Sequence, residues 1–452
     1  KKQLRLRHGK MTFIIKTQFM FKISLWRDLK LDQLLPLVIS VVVLVVLLLL
    51  KVNLGWSLLF SAGTLMVGVG IELVEMVNIV RSTVTDSYFL EIIGIILLIN
   101  LLEELLRKTA YFDRALQILQ ETFQNRVIIT AVFPAIFGSI PAFGGAKLSA
   151  PLVELAGKDI VIDSVEKSLL NYWFRHVWEF SSPLFPGVIL AIYLSGVEMW
   201  KYILLMVPPT LIFFVLGYLF FLRPVLKKNQ EVSGAGAISG QNGAEMDSGI
   251  RTVRTYCGLL RIIWPVLVIM FAVVVFRVSI LWPLLLTDLF LFCQTYKDKG
   301  FVKELLKKVC SFKLLWIVFG VFIFKTTFEW TGIPQEIPTL LGAIGIPSVV
   351  LLIIFPLLTG LLTGMPSAFV GITYPILVPV FNLGGSLHLG AVMLAFVAGH
   401  IGAMLSPLHL CFVLTVEYFQ TEILPFWTRL LFPQVIELLL VLALAYILGI
   451  PG

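Results

Sequence analysis

The sequence predicts an all-α polytopic membrane protein: two inverted repeats of about five transmembrane helices, each with a re-entrant hairpin and a broken helix. Three observations predict this class. The 452 residues are 58% hydrophobic and only 14% charged, against about 25% charge in a soluble domain, and mean hydropathy is +0.96. Apolar runs of roughly 20 residues, the length of a helical span, follow one another along the chain. A His followed at one fixed spacing by Ser-Pro-Leu occurs twice, as His176 with Ser182-Pro183-Leu184 and as His400 with Ser406-Pro407-Leu408, in a chain with only 5 His. A β-barrel would show short alternating strands instead.

Residues 1–33 read as a basic N-terminal interfacial segment. Lys16 and Lys22 make Met11–Trp26 too charged for a signal sequence, and a start assigned ahead of Met11 would also account for the basic stretch. The first repeat covers 34–222. Its spans lie near Leu34–Leu50, Trp56–Val80 and Phe89–Leu106, followed by an amphipathic stretch at Tyr111–Phe123. Val127–Leu155 is apolar but interrupted by Pro134, Gly138, Pro141, Gly144, Gly145 and Pro151; Val165–Leu194 is broken at Ser181-Ser182-Pro183; Trp200–Leu222 closes the half.

Residues 223–256 form the inter-repeat linker, with Asn229–Gly249 rich in Gly, Ser, Ala and Asn. The second repeat, 257–452, follows the same order. Spans near Cys257–Phe276, Ile280–Tyr296 and Phe312–Phe328 precede an interrupted stretch at Pro347–Pro379, a run Ser386–Glu417 broken at Ser406-Pro407, and a closing span at Leu424–Leu448.

An odd number of crossings makes the second half enter the bilayer with opposite orientation, hence inverted repeats. The Pro- and Gly-interrupted segments fit re-entrant hairpins, because freed backbone groups at membrane depth must be buried in protein or line a wet cavity. Pro-kinked spanning helices are the alternative. The Lys/Arg distribution puts the linker in the cytoplasm and the N-terminus outside, although the basic N-terminus pulls the other way. The net charge of +8 belongs to loop Lys and Arg and gives no nucleic-acid surface. Cys257, Cys293, Cys310 and Cys411 have neither disulfide nor metal spacing, so they are expected to be ordinary apolar residues and no metal or resident cofactor is expected.

Ionisable residues inside a membrane are functional candidates by default. Asn171, Arg175 and Glu179 recur at a spacing of four and share a helical face with His176 beside them. Arg175 and Glu179 can simply pair, or Arg175 can hold a carboxylate or phosphate in two-pronged fashion while Glu179, His176 and His400 serve the coupling ion. Ser182 and Ser406 sit at the breaks, where half-helix ends bind ions. The hairpins add Ser139 and Lys147 in the first, and Thr363 and Ser367 in the second. Lys147 neutralises an anion or snorkels. His409 follows the second break. The expected substrate-binding set is thus Asn171, Arg175, Lys147, Ser182, Ser406, Ser367 and His409; the coupling-ion set is Glu179, His176, His400, Ser139 and Thr363. No nucleotide-binding loop or hydrolase motif occurs.

The segments Asn171-Tyr172-Trp173-Phe174-Arg175-His176-Val177-Trp178-Glu179, Ser182 to Gly187, Pro141 to Pro151, Gly402 to Cys411 and Glu417-Tyr418-Phe419 resemble a prokaryotic membrane family known as domain of unknown function 401. That family is grouped with the ion-transporter superfamily. The resemblance implies inverted repeats, two hairpins, alternating access and a multi-pass location in the cell membrane. Dicarboxylate members of that superfamily carry Ser-Asn-Thr at each hairpin tip; this chain has Ser139-Ile140-Pro141 and Met365-Pro366-Ser367, so neither sodium coupling nor a dicarboxylate carries over.

The expected function is secondary transport of a small organic anion, coupled to a proton or sodium gradient, with the bilayer as partner and a homodimer as the oligomer to test. The rivals are a lipid-linked or cell-envelope anion translocase, a membrane enzyme using His176, Glu179 and His400, and a non-transporting scaffold. Convergence of those three residues in one pocket would favour the enzyme, a wet midplane cavity transport, a groove open to lipid the translocase, and a sealed dry midplane the scaffold.

Overall fold

The computed structural model describes residues 31–108, 125–140, 146–236, 263–296, 299–309, 312–337 and 347–450, with 339 and 345. Among them the regular structure is all helical, and no strand occurs. The first half runs α1 Leu31–Leu49, α2 Leu54–Val69, α3 Leu73–Thr85, α4 Ser87–Lys108, α5 Arg126–Gly138, α6 Ala146–Ala156, α7 Ser164–Arg175, α8 Pro186–Ser195 and α9 Met199–Gly217. Helix α9 passes through a π-helical turn at Tyr218–Leu222 into α10, Arg223–Gly236. The second half runs α11 Ile263–Phe276, then α12 Leu281–Thr295, α13 Lys299–Val309, α14 Phe312–Trp330, α15 Ser348–Thr363, α16 Pro366–Phe381, α17 Leu389–Leu405, α18 Leu410–Phe419 and α19 Ile423–Ile447.

Among the described residues, four helical runs are long and apolar enough to cross a membrane, including Met199–Val232, Leu389–Phe419 and Ile423–Ile447. The others are shorter, and local chemistry shows why. Gly70 takes φ +80° and ends α2, so the span expected over Trp56–Val80 is two helices. Left-handed backbone of this kind suits glycine because it has no Cβ. Gly364 (φ +63°) ends α15, and Pro366 starts α16 at the first helical position, where its missing N–H costs nothing. Pro347–Pro379 is therefore two short helices that pack on each other, as are α5 and α6. Both breaks are present: α7 and α8 are separated around Ser181-Ser182-Pro183, and α17 and α18 around Ser406-Pro407. Helix α10 takes in the start of the expected linker stretch. Residues 237–262, the stretch Tyr111–Phe123 and residues 1–30 lie outside the described residues.

The halves interlock through paired contacts. Helix α2 packs on α14, and α4 on α12; α8 packs on α16, and α18 on α6; within the halves, α5 packs on α7 and α15 on α17. At one end of α4, Lys108 Nζ lies 3.0 Å from Glu304, and Lys308 Nζ 3.3 Å from Glu104, tying α4 to α13. Helices α15 and α17 cross at backbone contact. A Cβ on Gly402 would collide with the Leu357 carbonyl oxygen, and one on Gly360 with that of Gly399. Small residues let membrane helices approach closely where no hydrophobic force drives them together.

Gly402→Ala is expected to destabilise the protein by about 1–3 kcal/mol, the cost of overpacking a filled interface. Gly63→Ala, which meets nothing within 4 Å, should be neutral or stabilising. Thermal unfolding of the purified variants in detergent measures both; equal midpoints would remove the steric argument.

Candidate functional site

Helix α7 starts on a capping box in which Asp163 and Glu166 bond each other's backbone N–H, satisfying donors that a helix start leaves open. It stops at Arg175, because His176 adopts φ −96°, ψ 1°. A 3-10 turn over Val177–Glu179 follows, and Pro186 then nucleates α8. The expected shared face of Asn171, Arg175 and Glu179 is thus interrupted. Glu179 falls on the 3-10 turn, and its partners are histidines: Oε1 is 3.8 Å from His176 Nε2 and Oε2 is 3.4 Å from His400 Nε2.

Arg175 turns to the second half, with Nε donating to Cys411 Sγ at 3.4 Å. It is the only buried Lys or Arg among the described residues. His176 Nε2 lies 3.0 Å from His409 Nε2. The other ring nitrogens are held by backbone carbonyls. His176 Nδ1 donates to Tyr172 O at 2.5 Å, and His409 Nδ1 to Gly364 O at 2.7 Å. Since a carbonyl only accepts, both Nδ1 atoms carry the proton.

Asn171, one turn before Arg175, joins three elements. It accepts from Ser149 Oγ of α6 at 2.6 Å, and its Nδ2 donates to Thr415 Oγ1 of α18 at 3.4 Å. Tyr172 OH donates to Met404 O at 2.8 Å, fixing α7 against the end of α17. The end of α5 and the start of α16 border the site. A Cβ on Gly138 would collide with the Arg175 carbonyl oxygen, and Gly187 at the start of α8 abuts Pro366 and the Ser367 backbone.

Six predicted or neighbouring groups therefore meet: Arg175, His176, Glu179, His400, His409 and Cys411, all buried. Asn171 supports them from one turn away. Ser139 and Thr363 turn their hydroxyls onto their own helices, at Ile136 O and Thr359 O. Ser406 Oγ accepts from Leu408 N and stays within its break. Ser182 and Ser367 are buried at the first break and at the start of α16. The side chain of Lys147 lies outside the described residues.

The match to known families is with the model of a protein family of unknown function, DUF401, over residues 31–235 and 237–448. The chain belongs to that family. A search of curated proteins finds no match.

Cys411 is the main residue the sequence reading passed over. Far from being an inert apolar filler, it lies against Arg175 and beside two histidines. Its place two residues after His409, just past a helix break, was the available signal. Asp288 on α12 and the pair Gln434 and Glu437 on α19 were also passed over. These three are buried, with side-chain atoms that have no hydrogen-bond partner among the described residues. Isolated acids in apolar runs are the signal that could have found Asp288 and Glu437.

Asn171→Ala in this DUF401 protein removes one partner from two buried hydroxyls. It should cost about 1–3 kcal/mol, read as a lowered unfolding midpoint. The exposed Asn382→Ala should stay within about 0.5 kcal/mol of the parent. No difference between the two would mean that Asn171 does not tie the halves.

Proposed function

We propose that this DUF401 protein is a secondary transporter of a small organic anion, working by alternating access between two inverted repeats and coupled to a proton or sodium gradient. One observation carries the reading. The buried polar cluster sits where two broken helices meet the end of α5 and the start of α16, and such transporters hold substrate where broken helices meet at a repeat interface. The reciprocal contacts support the inverted repeats: α2 on α14 is matched by α12 on α4, and α8 on α16 by α18 on α6. Arg175 supports an anion, because a planar guanidinium takes a carboxylate in two-pronged fashion. The burial of every cluster residue corresponds on this reading to a state closed to both faces.

The convergence of Glu179 with His176 and His400 favours a second reading, a membrane enzyme that uses these three residues. Transport delivers the solute unchanged; the enzyme alters it.

Proteoliposomes screened with radiolabelled organic acids, with and without sodium and with the proton gradient collapsed, test both readings. Accumulation of intact solute is expected. Arg175→Ala should abolish uptake while leaving membrane insertion intact. Arg175→Lys should also be poor, since a point charge does not replace a two-pronged donor. Arg175→Ala protein that transports as well as the parent would remove the anion assignment. A chemically altered solute would replace transport by catalysis.

A further inference from the structure

We infer that His176, His409 and Cys411 form a binding site for a zinc-class transition metal ion, with Glu179 beside them as a fourth donor. The starting point is a contact between like groups. Both imidazoles give their Nδ1 proton to a backbone carbonyl, of Tyr172 and of Gly364. Each neutral ring therefore presents a lone pair at Nε2, and the two Nε2 atoms face each other at 3.0 Å. Two lone pairs at that distance repel unless a positive centre lies between them or on one of them. A metal ion is one such centre, and a shared proton is the other.

The surroundings favour the metal. Cys411 Sγ completes a set in which all donor atoms lie within 4.8 Å of one another. A tetrahedral zinc site, with Zn–N near 2.0 Å and Zn–S near 2.3 Å, separates its donors by roughly 3.3–3.8 Å, so small ring rotations suffice. Metal-bound histidines characteristically give their other N–H to a carbonyl or carboxylate, which fixes tautomer and ring orientation; both rings here already do so. Glu179 Oε1 stands 3.8 Å from His176 Nε2, in reach of the fourth position. A metal-bound sulfur carries negative charge, and the Arg175 guanidinium faces it at 3.4 Å. The mixed nitrogen and sulfur donors select zinc and its neighbours over magnesium or calcium. His176 comes from the first break, and His409 and Cys411 from just beyond the second, so the ion would clip the two halves together. The inference does not depend on transport.

The test uses the purified full-length chain in detergent, stripped of metal and titrated with Co2+ alone as an optical probe. The parent should bind about one Co2+ per chain with a sulfur-to-cobalt charge-transfer band, and Zn2+ should displace it. Cys411→Ser should lose that band. His409→Ala should bind at least about tenfold more weakly, since even outer-shell changes at metal sites cost that much. His388→Ala, which lies outside the cluster, should match the parent. Should the cluster variants fail to fold, Zn2+ should block alkylation of Cys411 in the parent, read on its peptide by mass spectrometry. A parent without a cobalt band and without zinc protection of Cys411 overturns the site and leaves a proton between the imidazoles. A band that survives Cys411→Ser overturns it as well.

Discussion

Two helix breaks that face each other impose the governing constraint on this molecule. A break frees carbonyl and N–H groups, and in hydrocarbon each unsatisfied group costs several kcal/mol. It can persist only where other protein covers it. Here each break is covered by parts of the opposite half. Tyr172 reaches the end of α17 at Met404 O, and Gly187 at the start of α8 meets the start of α16. His409, just beyond the second break, reaches both the Gly364 carbonyl and His176. Each half settles part of its own break, as Trp427 Nε1 does for Leu405 O and Ser406 Oγ for Leu408 N, and the opposite half supplies the rest.

The same constraint explains the unequal packing around the site. The second half brings α15 and α17 together at backbone contact through Gly360, Gly399 and Gly402, whereas among the described residues the equivalent contact of α5 with the end of α7 rests on Gly138. Helix α17 is buried from Gly390 to Leu405, so small residues let it be surrounded. Helix α7 instead spends its last turn on Asn171, Tyr172 and Arg175, whose polar groups are answered by α6, α17 and α18. One broken helix is held mainly by shape and the other mainly by hydrogen bonds. Hydrogen bonds between membrane helices are worth roughly 0.6 kcal/mol on average, so the polar side of the pair is the one more readily rearranged.

Much of this was legible in the sequence, and the reason is that hydrocarbon restricts the options. The membrane class, both breaks and the two-helix nature of Val127–Leu155 and Pro347–Pro379 followed from long apolar runs and from Pro and Gly that no continuous helix accommodates without cost. The intramembrane charges marked Arg175, His176 and Glu179 for the same reason. Partners were not legible. Counting by fours paired Arg175 with Glu179, but that spacing holds only while the helix continues, and His176 ends it. Cys411 was read by its type, which is apolar in most cores, whereas its contact with Arg175 spans 236 positions of chain. The split of Trp56–Val80 turned on one glycine conformation that hydropathy does not encode.

The repeated His and Ser-Pro-Leu pattern now takes on a physical meaning. His176 and His400 occupy equivalent places in the pattern but different local structures. The first follows the end of α7, and the second lies inside α17. Both nonetheless bring Nε2 toward one carboxylate, Glu179, each at a different oxygen. On the inverted-repeat reading, residues near the pseudo-twofold axis meet their own counterparts, and so a duplicated histidine arrives twice at a single acid. The acid has no counterpart, since the position that matches Glu179 in the second half is Ala403. A carboxylate in both halves would set two negative charges together in a buried space, which is costly unless one is neutralised. Losing it in one half leaves two imidazoles for one carboxylate. On that reading, the asymmetry leaves one carboxylate shared by two imidazoles at the junction of the halves.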